Sequence, residues 1–245
     1  MIFTECLIPV KSDYDYTVDM PAWITGEKVK EGYNFTLTEN TTGNARKGTV
    51  IFKSQKGTKE ITFVQFGVND IAGTYEATYS TFGEGDDWVS ETVKIELLQD
   101  EENEAVFYAD GLSSIRGVVL PLKFDGETYQ LSALNGQYLG FIESQKWYLY
   151  TIVRSEAGYV HADTSLSYPA IAELDVDDEE LMPFFPFKDK KGFSFTGETG
   201  TIKSFIDAIG VYVFASKSPT FGNNNNLGYY DIFKGLSIKK IKADH

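Results

Sequence analysis

Apolar and polar positions alternate with period two along most of the chain, and the apolar members are mainly β-branched or aromatic. The clearest runs are Tyr14-x-Tyr16-x-Val18, Phe35-x-Leu37, Val50-x-Phe52, Ile61-x-Phe63 and Tyr75-x-Ala77-x-Tyr79. Further runs are Val93-x-Ile95-x-Leu97, Val118-x-Leu120-x-Leu122-x-Phe124, Trp147-x-Leu149, Phe193-x-Phe195 and Val211-x-Val213-x-Ala215. Such alternation places one face of a strand in a core and the other in water. Turn signals separate the runs: Gly43-Asn44, Lys56-Gly57, Asp125-Gly126, Asn135-Gly136 and Lys191-Gly192. Glycine and asparagine tolerate the positive φ that tight turns need. Phe124-Asp125-Gly126-Glu127 is the best-marked hairpin. Only Asp177 to Met182 and Ser204 to Ile209 read as helical, and both are too short to form a layer. The pattern predicts an all-β protein, a sandwich or barrel with one or two helical turns.

Charge divides the chain in two. Residues 1–67 carry eight basic and eight acidic side chains, so the formal charge of −14 arises after that point. Phe66-Gly67-Val68-Asn69-Asp70 reads as a connector between strand trains. The expected organisation is therefore residues 1–67 as a small module and residues 68–245 as a larger one. The acidic balance argues against nucleic acid and against anionic membranes as partners, because both need clustered Lys and Arg. One cysteine, Cys6, allows no internal disulfide and no cysteine-rich metal site. No run approaches the roughly 18 apolar residues of a membrane span, so none is expected in this chain.

The smaller module carries a resemblance. Val10-Lys11-Ser12-Asp13, Trp23-Ile24, the segment from Asn40 through Arg46-Lys47-Gly48 to Val50, and Ile61-Thr62-Phe63-Val64-Gln65 follow in an order and spacing that resemble a BACON domain. That resemblance covers most of residues 8–66 and implies an immunoglobulin-like sandwich. It also implies a surface or secreted protein of Bacteroidetes, often in the company of glycan-active enzymes. Residues 68–245 resemble, more loosely, the lipocalin-like domains that follow such modules. The carrying residues are Ile71-Ala72-Gly73-Thr74-Tyr75, Trp88 before Val93-Lys94-Ile95, Val106-Phe107 with Gly111-Leu112, Asn135-Gly136-Gln137 with Leu139-Gly140, and Tyr229-Tyr230-Asp231-Ile232. The implied fold is an Ig-like β-sandwich followed by a larger antiparallel β-barrel or sandwich, in an extracytoplasmic setting. On the physical side, Arg46-Lys47-Gly48 fits a hairpin turn, and Trp23 reads as an apolar anchor of a small core.

Catalytic signals are weak. His161 and His245 cannot form a metal site alone, and no nucleophile elbow or phosphate loop is present. Carboxylates are plentiful, but nothing selects the pair a glycosidase would need. The expectation is a non-enzymatic protein with no cofactor and no metal. Asp175-Val176-Asp177-Asp178-Glu179-Glu180 has hard oxygen donors for Ca²⁺ but lacks the glycine and distant glutamate of a calcium loop, so a solvated acidic run is the first reading and calcium binding the alternative. Aromatic residues are the better lead. Trp88 follows the acidic loop from Gly83 to Asp87, and Trp147-Tyr148-x-Tyr150 sets rings on both faces of one strand. Tyr229 lies beside a glycine turn, and Asn223 to Asn226, centred on Asn224, offers amides. Flat rings beside amides or acids are how proteins grip sugars. Trp88, Trp147, Tyr150, Tyr229 and Asn224 are thus the candidate ligand-binding residues, with a glycan or a cell-surface protein as partner. A rival reading gives Met182-Pro183-Phe184-Phe185-Pro186-Phe187 to protein contacts. Two prolines are expected to block continuous strand pairing there, so the rings either plug the open end of a sheet or lie on the surface, where Phe184-Phe185, or else a sheet edge, would contact a partner. A third reading is a carrier of a small apolar molecule.

Overall fold

A computed structural model describes residues 5–40, 45–84, 87–176, 181–222 and 224–242. The described residues are all-β, with no α-helix among them and a short 3-10 turn at Val68–Asp70. It divides into two compact units, Met1–Asp70 with Val176–Met182, and Ile71–Asp175 with Pro183–His245.

The smaller unit holds β1 (Glu5–Ile8), β2 (Tyr16–Asp19), β3 (Ile24–Val29), β4 (Gly32–Leu37), β5 (Arg46–Ser54) and β6 (Gly57–Gln65). They form two three-stranded antiparallel sheets, ordered β1-β4-β3 and β2-β5-β6. Both sheets feed one core of Ile24, Phe35, Leu37, Val50 and Phe52, against which Trp23, Tyr33, Ile61 and Phe63 pack. Edge-to-face contacts join Tyr33 and Phe35 with Phe52, and Phe63 with Phe35. In so small a unit a few large rings must supply most of the apolar burial. Arg46-Lys47-Gly48 is not the turn its composition suggests. It opens β5, with Gly48 opposite Phe63, and a Cβ on Gly48 would come within 2.6 Å of the Trp23 indole. The glycine is required for ring packing rather than for backbone conformation. Gly43-Asn44 lies outside the described residues.

The larger unit begins with β7 (Gly73–Phe82), β8 (Trp88–Gln99), β9 (Val106–Asp110), β10 (Leu120–Asp125) and β11 (Gln130–Leu134). Next come β12 (Tyr138–Ile142), β13 (Trp147–Ser155), β14 (Val160–His161), β15 (Ser167–Ile171), β16 (Glu173–Val176) and β17 (Leu181–Pro186), of which Val176, Leu181 and Met182 are counted with the smaller unit. β18 (Phe193–Gly197), β19 (Gly200–Ser204), β20 (Ile206–Phe214) and β21 (Asn226–Lys240) complete it. The main sheet runs β12-β13-β20-β21-β7-β8-β9-β10-β11-β15 and curls into a half-barrel. One face buries the inward members of each alternation, among them Phe107, Leu120, Leu122, Phe124, Leu131 and Ala170. The Asp125 hairpin forms as expected, with Asp125 opposite Gln130 and its Oδ1 accepting the Glu127 and Thr128 amides.

Two expectations fail, each for its own reason. Ser204 to Ile209 is not helical: Ser204 ends β19 and Ile206 to Ile209 open β20, which is paired on both sides, with β13 and with β21. Its residues are buried almost without a break, so the alternation that marks a half-exposed strand is missing. Gly210 lets β21 approach, since a Cβ there would lie 2.5 Å from the Asp231 carbonyl oxygen. The proline-flanked Phe run is also strand. Phe184, Phe185 and Pro186 pair with Lys239, Ile238 and Ser237, and the Phe187 amide donates to the Leu236 carbonyl at 2.9 Å. Phe187 also bridges to Ala170 of β15, so this segment links the far strand of the curl back to β21. Phe185 and Phe187 are buried.

Candidate functional site

The β7-β8 hairpin ends where Phe82 stands directly opposite Trp88, closed by the Gly83 amide donating to the Asp87 carbonyl. Directly opposed residues share a face, so the two rings meet, with centroids 4.5 Å apart and planes 32° off parallel. Tyr229 of β21 reaches the same group, 5.7 Å from Phe82. Phe82 is 40% exposed, and Trp88 and Tyr229 are half-buried.

The register extends the group into a ladder. Tyr138, Tyr150, Tyr212 and Tyr229 are successive cross-strand partners on β12, β13, β20 and β21. Tyr212 lies 5.2 Å from Tyr229, and Tyr150 lies 5.4 Å from Tyr138. The middle of the ladder belongs to a buried cluster of Tyr150, Ile152, Tyr212 and Phe214. Phe221 covers Tyr212 and Phe214 from the following loop and stays exposed itself.

Charge enters this face at three points. Arg154 of β13 donates through Nη1 to both carboxylate oxygens of Asp207, at 3.0 and 2.7 Å, and both side chains are 17% exposed. Lys234 of β21 lies 3.7 Å from the same carboxylate. Both cations also approach the Trp88 ring, Lys234 Nζ at 4.6 Å and the Arg154 guanidinium at 5.4 Å. The indole is held by cation–π attraction as well as by packing. Burial pushes the Tyr229 phenol up to about 12, with Arg154 pulling the other way. Tyr229 is therefore a neutral hydrogen-bonding group across the physiological range.

Of the residues singled out in the sequence, Trp88 and Tyr229 are brought together. Tyr150 joins them only through the buried ladder, and its hydroxyl is spent on the Lys217 carbonyl at 2.6 Å. Trp147 contacts Tyr230, 6.3 Å away, and both sit one residue out of phase with the ladder, on the opposite face of the sheet. Asn224 is exposed at the loop tip with φ of 65°. The neighbouring amides fold the loop: Asn225 Nδ2 donates to the Ser218 and Thr220 carbonyls, and Asn226 Oδ1 accepts the Gly222 amide. Asn223 lies outside the described residues, as do Asp177 to Glu180 of the acidic run and His245. His161 is enclosed edge-on by Phe193 and Phe195, and burial lowers its pKa.

Phe82, Arg154, Asp207 and Lys234 were not picked out from sequence. A usable signal existed for two of them, since Arg154 ends the apolar run from Trp147 and Asp207 interrupts the run from Ile206 to Phe214. Opposite charges placed in two buried strands imply a partner. Among the described residues no three His, Cys, Asp or Glu side chains cluster as a metal site, and no helix is long and apolar enough to cross a membrane. Comparison of the chain with protein-family models, with curated proteins and with solved structures finds no match.

Proposed function

We propose that the protein is a non-enzymatic accessory module of an extracytoplasmic surface that binds carbohydrate on the Trp88–Phe82–Tyr229 patch. The observation that carries this reading is the convergence of these three rings with Arg154, Asp207 and Lys234 on one accessible face. Partly exposed rings supply faces for sugar C–H groups, and the charged triad and the Tyr229 hydroxyl supply hydroxyl partners. The smaller unit, in the immunoglobulin-like reading of its two sheets, serves as a spacer. The half-barrel, in the lipocalin-like reading, is the scaffold of the patch. The rival in which Phe184-Phe185 docks another protein loses support, because Phe185 is fully buried.

Binding of a broad polysaccharide panel, followed by affinity electrophoresis and by tryptophan fluorescence, tests the proposal. At least one polymer should be retained, and Trp88→Ala should weaken that retention by about tenfold or more, as loss of a stacked ring costs more than 1 kcal/mol at a binding hot spot. No retention across the panel, or retention unchanged in Trp88→Ala, overturns it.

A further inference from the structure

The smaller unit contains a cavity of ≈ 280 Å³ that the reading above leaves without a task. It is lined from the segment leaving β1 by Ile8, Pro9, Val10 and Lys11, and from the β2-β5-β6 sheet by Tyr16, Phe52, Lys59 and Ile61. Its volume approaches the roughly 300 Å³ at which ligand cavities begin.

The register explains how it arises. On β6, Phe63, Ile61 and Lys59 stand opposite Gly48, Val50 and Phe52, so all three are on the core-facing side. Phe63 and Ile61 pack against the core, whereas Lys59 is exposed. The core-facing side of β6 thus runs out of covering residues before the strand ends. Lys59 on this edge strand would by itself discourage edge-to-edge pairing. That role requires neither a cavity nor a second cation, yet Lys11 stands on the same rim from the segment leaving β1.

The rim chemistry is one-sided. The lining includes no acidic residue. Ser12 Oγ donates to the Tyr14 carbonyl and Ser54 Oγ to the Gly57 carbonyl, so both hydroxyls close local turns. Among the described residues Lys11 and Lys59 form no ion pair, whereas Lys53 pairs with Asp19. Lys28 adds positive charge nearby, over the Tyr16 ring at 4.8 Å. An apolar floor of Ile8, Val10, Phe52 and Ile61 under two unpaired ammonium groups is complementary to a molecule with an apolar body and an anionic end.

We propose that this cavity binds an amphipathic carboxylate, its hydrocarbon part on Phe52 and Ile61 and its carboxylate between Lys11 and Lys59. The inference is independent of the glycan reading, since every lining residue belongs to the smaller unit.

Titration calorimetry of the full chain with dodecanoate, below its micellar range, tests it. One equivalent should bind, dodecyltrimethylammonium should not, and Lys11→Gln/Lys59→Gln should weaken dodecanoate by about tenfold or more. Both lysines are exposed, so that variant keeps its core. Ile61→Trp, which fills the floor, should abolish binding, and Trp88→Ala should leave it unchanged. The proposal is overturned by absent dodecanoate binding, by equal binding of the cationic amphiphile, by full affinity in the double Gln variant, or by loss in Trp88→Ala.

Discussion

Replacing Asp207 with Asn keeps the shape of the side chain and removes a carboxylate that contacts Arg154 and Lys234 together. At 17% exposure the Arg154 guanidinium has little water to turn to, so the substitution leaves a charge that is mostly buried and unpaired. Breaking a buried pair from one side costs about 3–5 kcal/mol. Residual solvent access and Lys234, itself 38% exposed and worth under about 1 kcal/mol, place this case near 2–4 kcal/mol. Urea unfolding followed by tryptophan emission reads it, since Trp88 and Trp147 both lie in the larger unit. The midpoint should fall with the m-value unchanged. Arg154→Leu, which strands Asp207 instead, should cost a similar amount. The double variant Arg154→Leu/Asp207→Leu should recover most of the loss, because an apolar pair leaves nothing unsatisfied. Lys234→Gln should cost less than about 1 kcal/mol. If Asp207→Asn stays within 1 kcal/mol of the parent, or if the double variant is as unstable as the two single losses added, the pair is not the buried clasp described here.

The Tyr229 phenol, raised to about 12 by burial, makes the larger unit sensitive to alkali. A folded-state value above the ordinary 10 means that this stability is fully present below pH 10 and is lost as pH rises from 10 through 12. Absorbance titration near 295 nm should show a late-ionising tyrosine that Tyr229→Phe removes, and a parent-like curve in that variant would refute the assignment. Phe185→Ser, at a fully buried position opposite Ile238, should cost about 3–5 kcal/mol in urea unfolding and leave sedimentation at moderate concentration unchanged. Unaltered stability with altered association would restore the reading of Phe185 as a docking residue.

The parts of this fold that were legible in the sequence are those with one wet face. Tyr75-x-Ala77-x-Tyr79 and Val93-x-Ile95-x-Leu97 announce β7 and β8 because each alternates between core and solvent. β20 does not alternate, since it is covered on both faces, and Ser204 to Ile209 then mimics a helical turn. In β17 the misleading feature was proline, which is tolerated because ladder hydrogen bonds use every second residue. The Phe187 amide donates toward β21, so the missing N–H of Pro186 falls on the side facing away from it. Trp88 and Tyr229 could be found because each stands beside a turn. Phe82, Arg154, Asp207 and Lys234 could not be joined to them, as their meeting depends on the order β13-β20-β21-β7-β8, which no local pattern encodes.

That strand order also accounts for the division of labour along the aromatic ladder. Tyr150 and Tyr212 occupy central strands under Phe221, Val160 and Ala162, where burial and ring contacts fix their rotamers. Tyr229 and the Phe82–Trp88 pair lie at the margin of that cover, on β21 and on the tip of the β7-β8 hairpin, where water reaches them. A ring at a hairpin tip would ordinarily sample several rotamers and lose part of its binding energy to ordering. Here Phe82 stacks on Trp88, Lys234 and Arg154 hold the indole, and Asp207 anchors both cations to β20. The half-buried indole is thereby tied to the almost wholly buried strand β20, so ligand would meet a surface already in place. Under the proposed function, Arg154, Asp207 and Lys234 would act on a ligand through the orientation of Trp88 as well as through their own charge.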